Sequence, residues 1–177
     1  MPVLMILGSI GFMFGSGGSA LVSKTMGEGD NDKARQLFSL FVYSTMACGI
    51  VIAVLSFIFI RPLASLMGAE GEMLENCVTY ARILLLSLPF FMLQFEFQSF
   101  FITAERPQLG LMVTVICGLT NMALDALFMA VFSWGLVGAA AATAISQILG
   151  GAIPIIYFCK GKSSVLRLTK TRIDRRA

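Results

Sequence analysis

Histidine is absent from this 177-residue chain. Its absence excludes an imidazole base, a His-ligated metal centre and a His-containing catalytic triad. Charge is scarce as well. Asp, Glu, Lys and Arg make up 13% of the residues, where a soluble domain carries about 25%. Cysteine is limited to Cys48, Cys77, Cys117 and Cys159. These four form neither a CxxC pair nor a disulfide-like spacing, and they read as small apolar packing residues. The net charge of +3 sits largely in one basic tail, which gives no reason to expect nucleic acid as a partner.

What the chain has instead is apolar surface. Hydrophobic residues are 57% of the sequence, and the mean hydropathy is +0.85. A membrane-crossing helix needs about 20 apolar residues. Five segments meet that length: residues 3–23, 34–60, 77–104, 108–132 and 136–158. The fold class that follows is an all-α integral membrane protein with five transmembrane helices. Residues 1–159 form the membrane domain, and residues 160–177 a basic tail or loop. The first run lacks the basic leader of a secretory signal and holds Gly8, Gly11, Gly15, Gly17 and Gly18, so it reads as a true spanning helix. Asp30 or Asp32 is placed to cap the second helix, and Arg61-Pro62 to close it. The short stretch after that, residues 63–67, is expected at the interface.

Loop charges set the orientation. Lys24, Lys33 and Arg35, then Arg106, then the tail's Lys160, Lys162, Arg167, Lys170, Arg172, Arg175 and Arg176 fall on one side if five helices alternate. They are 11 of the 13 basic residues. That side is expected to be cytoplasmic, with the N-terminus outside and the C-terminus inside. An external N-terminus without a leader, and an odd number of helices, suggest that the chain is part of a larger transporter.

One residue stands out. From Pro107 to Cys159, 53 residues, Asp125 is the sole charge. A carboxylate at membrane depth costs a few kcal/mol or more, so it marks a functional site with a cation, proton or polar partner. Asn121 lies one turn earlier on the same face. Glu96 is a second membrane carboxylate, in LQFEFQSFF. It suits a proton or a cationic substrate, or else a structural charge paired with Arg82 or with a residue outside this sequence. Gln94 and Gln98 share a face roughly 200° around the helix from Glu96. Phe90, Phe91, Phe95, Phe97, Phe100 and Phe101 surround these groups and serve either as stacking surface or as packing.

Two stretches carry a family resemblance. GSGGSALVSKTMGEGDNDKA, Gly15 to Ala34, holds Gly-x-Gly-Asp-x-x-x-Ala at the end of a glycine-rich helix. Downstream come ERP, NMALDALF and WGLVGAAAATAISQ, between Glu105 and Gln147. Together these resemble the multidrug and toxin extrusion (MATE) family across the whole chain. The resemblance implies helices two to six of the first six-helix lobe, with the first helix and the second lobe outside this sequence. It also implies a plasma-membrane antiporter that expels small, often cationic compounds and uses Na⁺ or H⁺ as coupling ion, with no cofactor. The family's first-lobe cation site falls on Asn121, Asp125 and Thr143, with the carbonyl of Ala139. For Na⁺, a hard cation, Asp125, Asn121 and Thr143 supply suitable oxygens. The implied partners are a drug-like substrate, the lipid bilayer and the remainder of the transporter. The alternatives are a lipid-linked oligosaccharide flippase of related architecture, for which Arg82 as the one arginine deep in an apolar run is few, and a non-transporting membrane subunit. A membrane-embedded enzyme would need more converging catalytic groups than two carboxylates.

Overall fold

The structure is a computed structural model, which describes residues 2–66, 68, 71–160 and 166. Among the described residues five helices follow one another: α1 (Pro2–Gly27), α2 (Asn31–Leu66), α3 (Gly71–Thr103), α4 (Pro107–Asp125) and α5 (Gly135–Lys160). Between α4 and α5 the chain continues as a π turn, Ala126–Val131. There is no strand among the described residues. Among the described residues four helical segments are long and apolar enough to cross a membrane: Asn31–Pro62, Gly71–Thr103, Pro107–Val131 and Gly135–Cys159. α1 is 26 residues long, but the side chains of its first residues lie outside the described set. The expected tail, residues 160–177, also lies outside it, apart from the backbone of Lys160 and buried Leu166.

The short turns set neighbouring helices antiparallel. Asp30 caps α2, its Oδ1 accepting the Lys33 N–H at 3.1 Å, as an acidic N-cap should. The ends of α1 and α3 meet where Ser23 Oγ donates to Thr103 Oγ1 at 3.2 Å. The end of α5 joins them through Phe101 and Tyr157, with ring centroids 5.8 Å apart. At the opposite end Arg61 pairs with Glu75 across the α2–α3 turn.

α3 is the central element. α1 and α2 pack on one side of it and on each other, and α4 and α5 do the same on the other side. In lipid there is little hydrophobic drive between helices, so close packing depends on small residues. Gly11 and Gly15 supply it for α1. A Cβ at Gly11 would lie 2.7 Å from the Met92 carbonyl oxygen, and one at Gly15 would lie 2.8 Å from Glu96 Cα. Gly151 does the same for α5, where a Cβ would come within 2.8 Å of the Phe90 carbonyl oxygen. The two halves meet at the α1/α3/α5 end in an aromatic cluster. Phe38, Phe97, Phe100, Phe101 and Phe158 are all buried there, and Phe38 sits edge-on to Phe100 at 4.7 Å. Three of the six phenylalanines near Glu96 are therefore packing residues. The outer face of α4 is open: Leu111, Met112, Val115, Leu119 and Met122 are exposed. An apolar face of that length needs lipid or protein to cover it.

Several helix boundaries differ from the sequence reading, three of them with a clear physical reason. Arg61-Pro62 does not close α2, which runs through Pro62 to Leu66. Proline removes one backbone bond without ending the helix, as Pro89 within α3 and Pro154 within α5 also show. α3 begins at Gly71 rather than residue 77. Gly71 holds φ +58, and Glu72 in the first turn suits a helix N-terminus. α-Helical bonding in the fourth segment stops at Asp125 instead of running to residue 132. The Phe132 N–H donates five residues back, to the Leu127 carbonyl at 3.1 Å, as in a π turn.

Candidate functional site

The site forms where α4 ends against α5. Asn121 and Asp125 occupy the last turn of α4, one turn apart. Thr143 and Ala139 are one turn apart near the start of α5. Asn121 Nδ2 donates to Thr143 Oγ1 at 3.4 Å, and Thr143 Oγ1 donates to the Ala139 carbonyl at 2.9 Å. All four residues are half-buried. The structure thus joins Asn121, Thr143 and Ala139 in one hydrogen-bonded chain. Asp125 lies beside that chain, and its Oδ1 is buried without a hydrogen-bond partner. Asn121 therefore bonds across to α5 rather than to the carboxylate on its own helix. Its side-chain carbonyl is left as an acceptor.

A buried carboxylate oxygen with no donor is costly, and such a group calls for an explanation, of which a bound ion or a functional proton is one kind. The surroundings offer oxygen atoms: one carboxylate, one amide, one hydroxyl and one backbone carbonyl. That donor set fits a hard monovalent cation or a proton. Tyr80 of α3 also belongs to this neighbourhood, since its hydroxyl feels the charge of Asp125. Sequence reasoning misses Tyr80. It lies 45 positions before Asp125, outside both stretches that carry the resemblance, and its one visible signal is a phenol near the start of an apolar run.

The other three sequence candidates divide between opposite sides of α3. Glu96 faces α1 and α2. It is 0% exposed, and neither carboxylate oxygen has a hydrogen-bond partner. Thr45 of α2 acts on this carboxylate as its polar neighbour. Yet the Thr45 hydroxyl, also buried, is not in hydrogen-bond geometry with it. Gln94 lies against Gly150 of α5, and Gln98 Nε2 donates to Thr114 Oγ1 of α4 at 3.1 Å. The pairing of Glu96 with Arg82 does not occur. The two are 14 positions apart on one helix, about 21 Å along its axis. Arg82 is exposed, with its guanidinium 5.1 Å from the centre of the Phe57 ring. A second polar link that sequence reasoning missed joins α3 to α5, where buried Ser87 donates to Gln147 Oε1.

Comparison with known proteins yields three kinds of likeness. A family model described as MatE matches residues 1–127. Multidrug export protein MepA of Staphylococcus aureus (strain MRSA252) is 30% identical over 165 residues, covering 93% of this chain and 37% of that protein. MepA of Staphylococcus haemolyticus (strain JCSC1435) is 32% identical over 160 residues, covering 90% of this chain and 35% of that protein. Among solved structures, the inward-facing conformation of a multidrug resistance MATE family transporter of the MOP superfamily matches with TM-score 0.90 at 22% identity. The match covers 97% of this chain and 40% of that one. The outward-facing conformation of such a transporter gives TM-score 0.83, also at 22% identity, and covers 95% and 39%. At that identity the structural likeness speaks for the fold alone. The chain spans well under half the length of the relatives it matches.

Proposed function

Since the chain belongs to the MatE family, we propose that it forms five helices of the first lobe of a multidrug efflux transporter coupled to Na⁺ or H⁺. It acts as a transporter segment and not as an enzyme. The observation that carries this reading is Asp125 Oδ1, buried without a partner beside the Asn121–Thr143–Ala139 chain. A coupling cation would take Asp125 as its charged ligand and Asn121, Thr143 and Ala139 as neutral oxygens. A coupling proton would sit on the Asp125 carboxylate, with the Asn121 carbonyl as acceptor. Either form relieves the buried charge. Transport follows if the two facing states of the whole transporter hold this carboxylate with different affinity for the cation, because a ligand shifts an equilibrium only through such a difference.

Glu96 carries a proton in this reading rather than touching substrate, because α1 and α2 enclose it completely. Gln94 and Gln98 act as packing polar groups toward α5 and α4. The substrate is a small drug-like compound, bound with the help of sequence beyond this chain. The membrane is the plasma membrane. The ends of α1, α3 and α5 face the cytoplasm, since their loops hold the basic residues.

The test is Asp125→Asn in a transporter that contains this segment with the rest of its sequence. The variant keeps shape and hydrogen-bonding capacity but loses charge and titration. It should reach the membrane in normal amounts, while efflux collapses and no longer responds to the Na⁺ or pH gradient. Wild-type efflux with unchanged gradient dependence would refute the coupling role.

A further inference from the structure

A groove of about 400 Å³ runs between α2 and α3 on the side of α3 that faces away from the Asp125 cluster. Ala53, Val54 and Phe57 line it from α2, and Leu85, Leu86 and Pro89 from α3. None of these side chains is charged. Leu86 is 74% exposed and neighbouring Ile58 is 64% exposed, so the groove opens outward from the helix pair. At one end stands Arg82, one turn before Leu85 and Leu86, with its guanidinium over the Phe57 ring. Arg82 forms no ion pair among the described residues, whereas Arg61, the other arginine at this end, is paired with Glu75.

We propose that this groove binds an anionic glycerophospholipid, with its phosphate on Arg82 and an acyl chain along the Phe57–Leu86–Pro89 wall. From Arg82 to Pro89 the wall is about 10 Å long at helical rise. α2 runs antiparallel beside it, so Phe57, Val54 and Ile50 descend from the same level. A cationic head above an apolar channel is the charge complement of a phospholipid. The guanidinium fork matches phosphate oxygens bidentately. Arg82 lies five residues, about 7.5 Å, inside the apolar run that begins at residue 77, so its stem can carry the charge to headgroup level. A free phosphate would gain nothing from the apolar wall, and an uncharged lipid nothing from the guanidinium. The lipid belongs to the leaflet at the α2–α3 end. This inference does not depend on the coupling role of Asp125.

Brominated lipids quench tryptophan on contact, which gives a direct assay. The full chain, with Trp134→Phe and Leu86→Trp, is placed in bilayers of phosphatidylcholine. Brominated phosphatidylglycerol or brominated phosphatidylcholine is then titrated in. One well-placed basic residue favours anionic lipid by about fivefold. The expected result is that preference for phosphatidylglycerol at position 86, and none when the tryptophan is at Leu119 on the outer face of α4. Arg82→Gln should abolish the preference, and Arg82→Lys should keep part of it. Quenching at Leu119→Trp that is unchanged by Arg82→Gln shows that the variant is inserted. Equal quenching by the two lipids at position 86, or a preference that survives Arg82→Gln, overturns the proposal. So does quenching at Leu119 with none at Leu86, because protein would then cover the groove.

Discussion

Adding a single methyl group at different glycines of α1 should have opposite effects. At Gly11 a Cβ would lie 2.7 Å from the Met92 carbonyl oxygen and 2.8 Å from Met92 Cα; at Gly15 it would lie 2.8 Å from Glu96 Cα. These neighbours are backbone atoms of α3 and cannot swing aside. Ordinary contact begins near 3.5 Å, so α1 would have to retreat by most of an ångström. At Gly17, by contrast, a Cβ would meet nothing within 4 Å. Overpacking costs about 1–3 kcal/mol, while Gly→Ala within a helix recovers about 0.5–1 kcal/mol. Gly11→Ala and Gly15→Ala should therefore each lose up to about 2.5 kcal/mol net, and Gly17→Ala should gain up to about 1 kcal/mol. The measurement is reversible unfolding of the chain in mixed micelles, followed by circular dichroism. Gly15→Ala carries a second signature. The retreat of α1 opens the wall that seals Glu96, so water-borne carboxyl reagents should label Glu96 in Gly15→Ala and not in Gly17→Ala. Equal stability changes at positions 15 and 17 would refute the close α1–α3 approach on which the burial of Glu96 rests.

Thr143→Val keeps the shape of the side chain but removes the acceptor of Asn121 Nδ2 and the donor to Ala139. It should lower stability by about 0.6–1 kcal/mol in the same unfolding assay, and in the whole transporter it should weaken cation dependence less than Asp125→Asn does. A reporter active only in the cytoplasm should work when fused after Arg176 and stay silent after Trp134; the reverse pattern would invert the orientation.

Helix number and approximate length were legible because the bilayer fixes both: an uncharged run such as residues 37–60 has few other uses. Ends were less legible. α2 passes straight through Pro62, as α3 does through Pro89 and α5 through Pro154, because neighbouring groups in a membrane bundle satisfy the backbone carbonyl that a proline frees. The π turn after Asp125 left no mark in ALFMAV, because its widening depends on how that turn seats against Trp134 and α5. The opposite faces of Gln94/Gln98 and Glu96 followed from helical period alone. Which helix each face meets did not, because this depends on close approaches set by distant glycines. Asn121 and Asp125 were visible as a pair one turn apart. The bond that Asn121 makes to Thr143 spans 22 positions, and the proximity of Tyr80 to Asp125 spans 45. Contacts of that range come from the order in which helices pack, which local pattern does not encode.

The central position of α3 ties the two sides of the bundle together as an axle ties two wheels. Glu96 is sealed by α1 and α2, while Gln94 and Gln98 engage α5 and α4, two residues away in either direction on the same rigid cylinder. A turn of α3 about its own axis that carried Glu96 out of its seal would sweep Gln94 off Gly150 and pull Gln98 from Thr114 in the same motion. Tyr80, further along the cylinder, would swing relative to Asp125 as well. Such a turn, begun on the α1–α2 side, would therefore also alter the surroundings of the polar groups on the α4–α5 side.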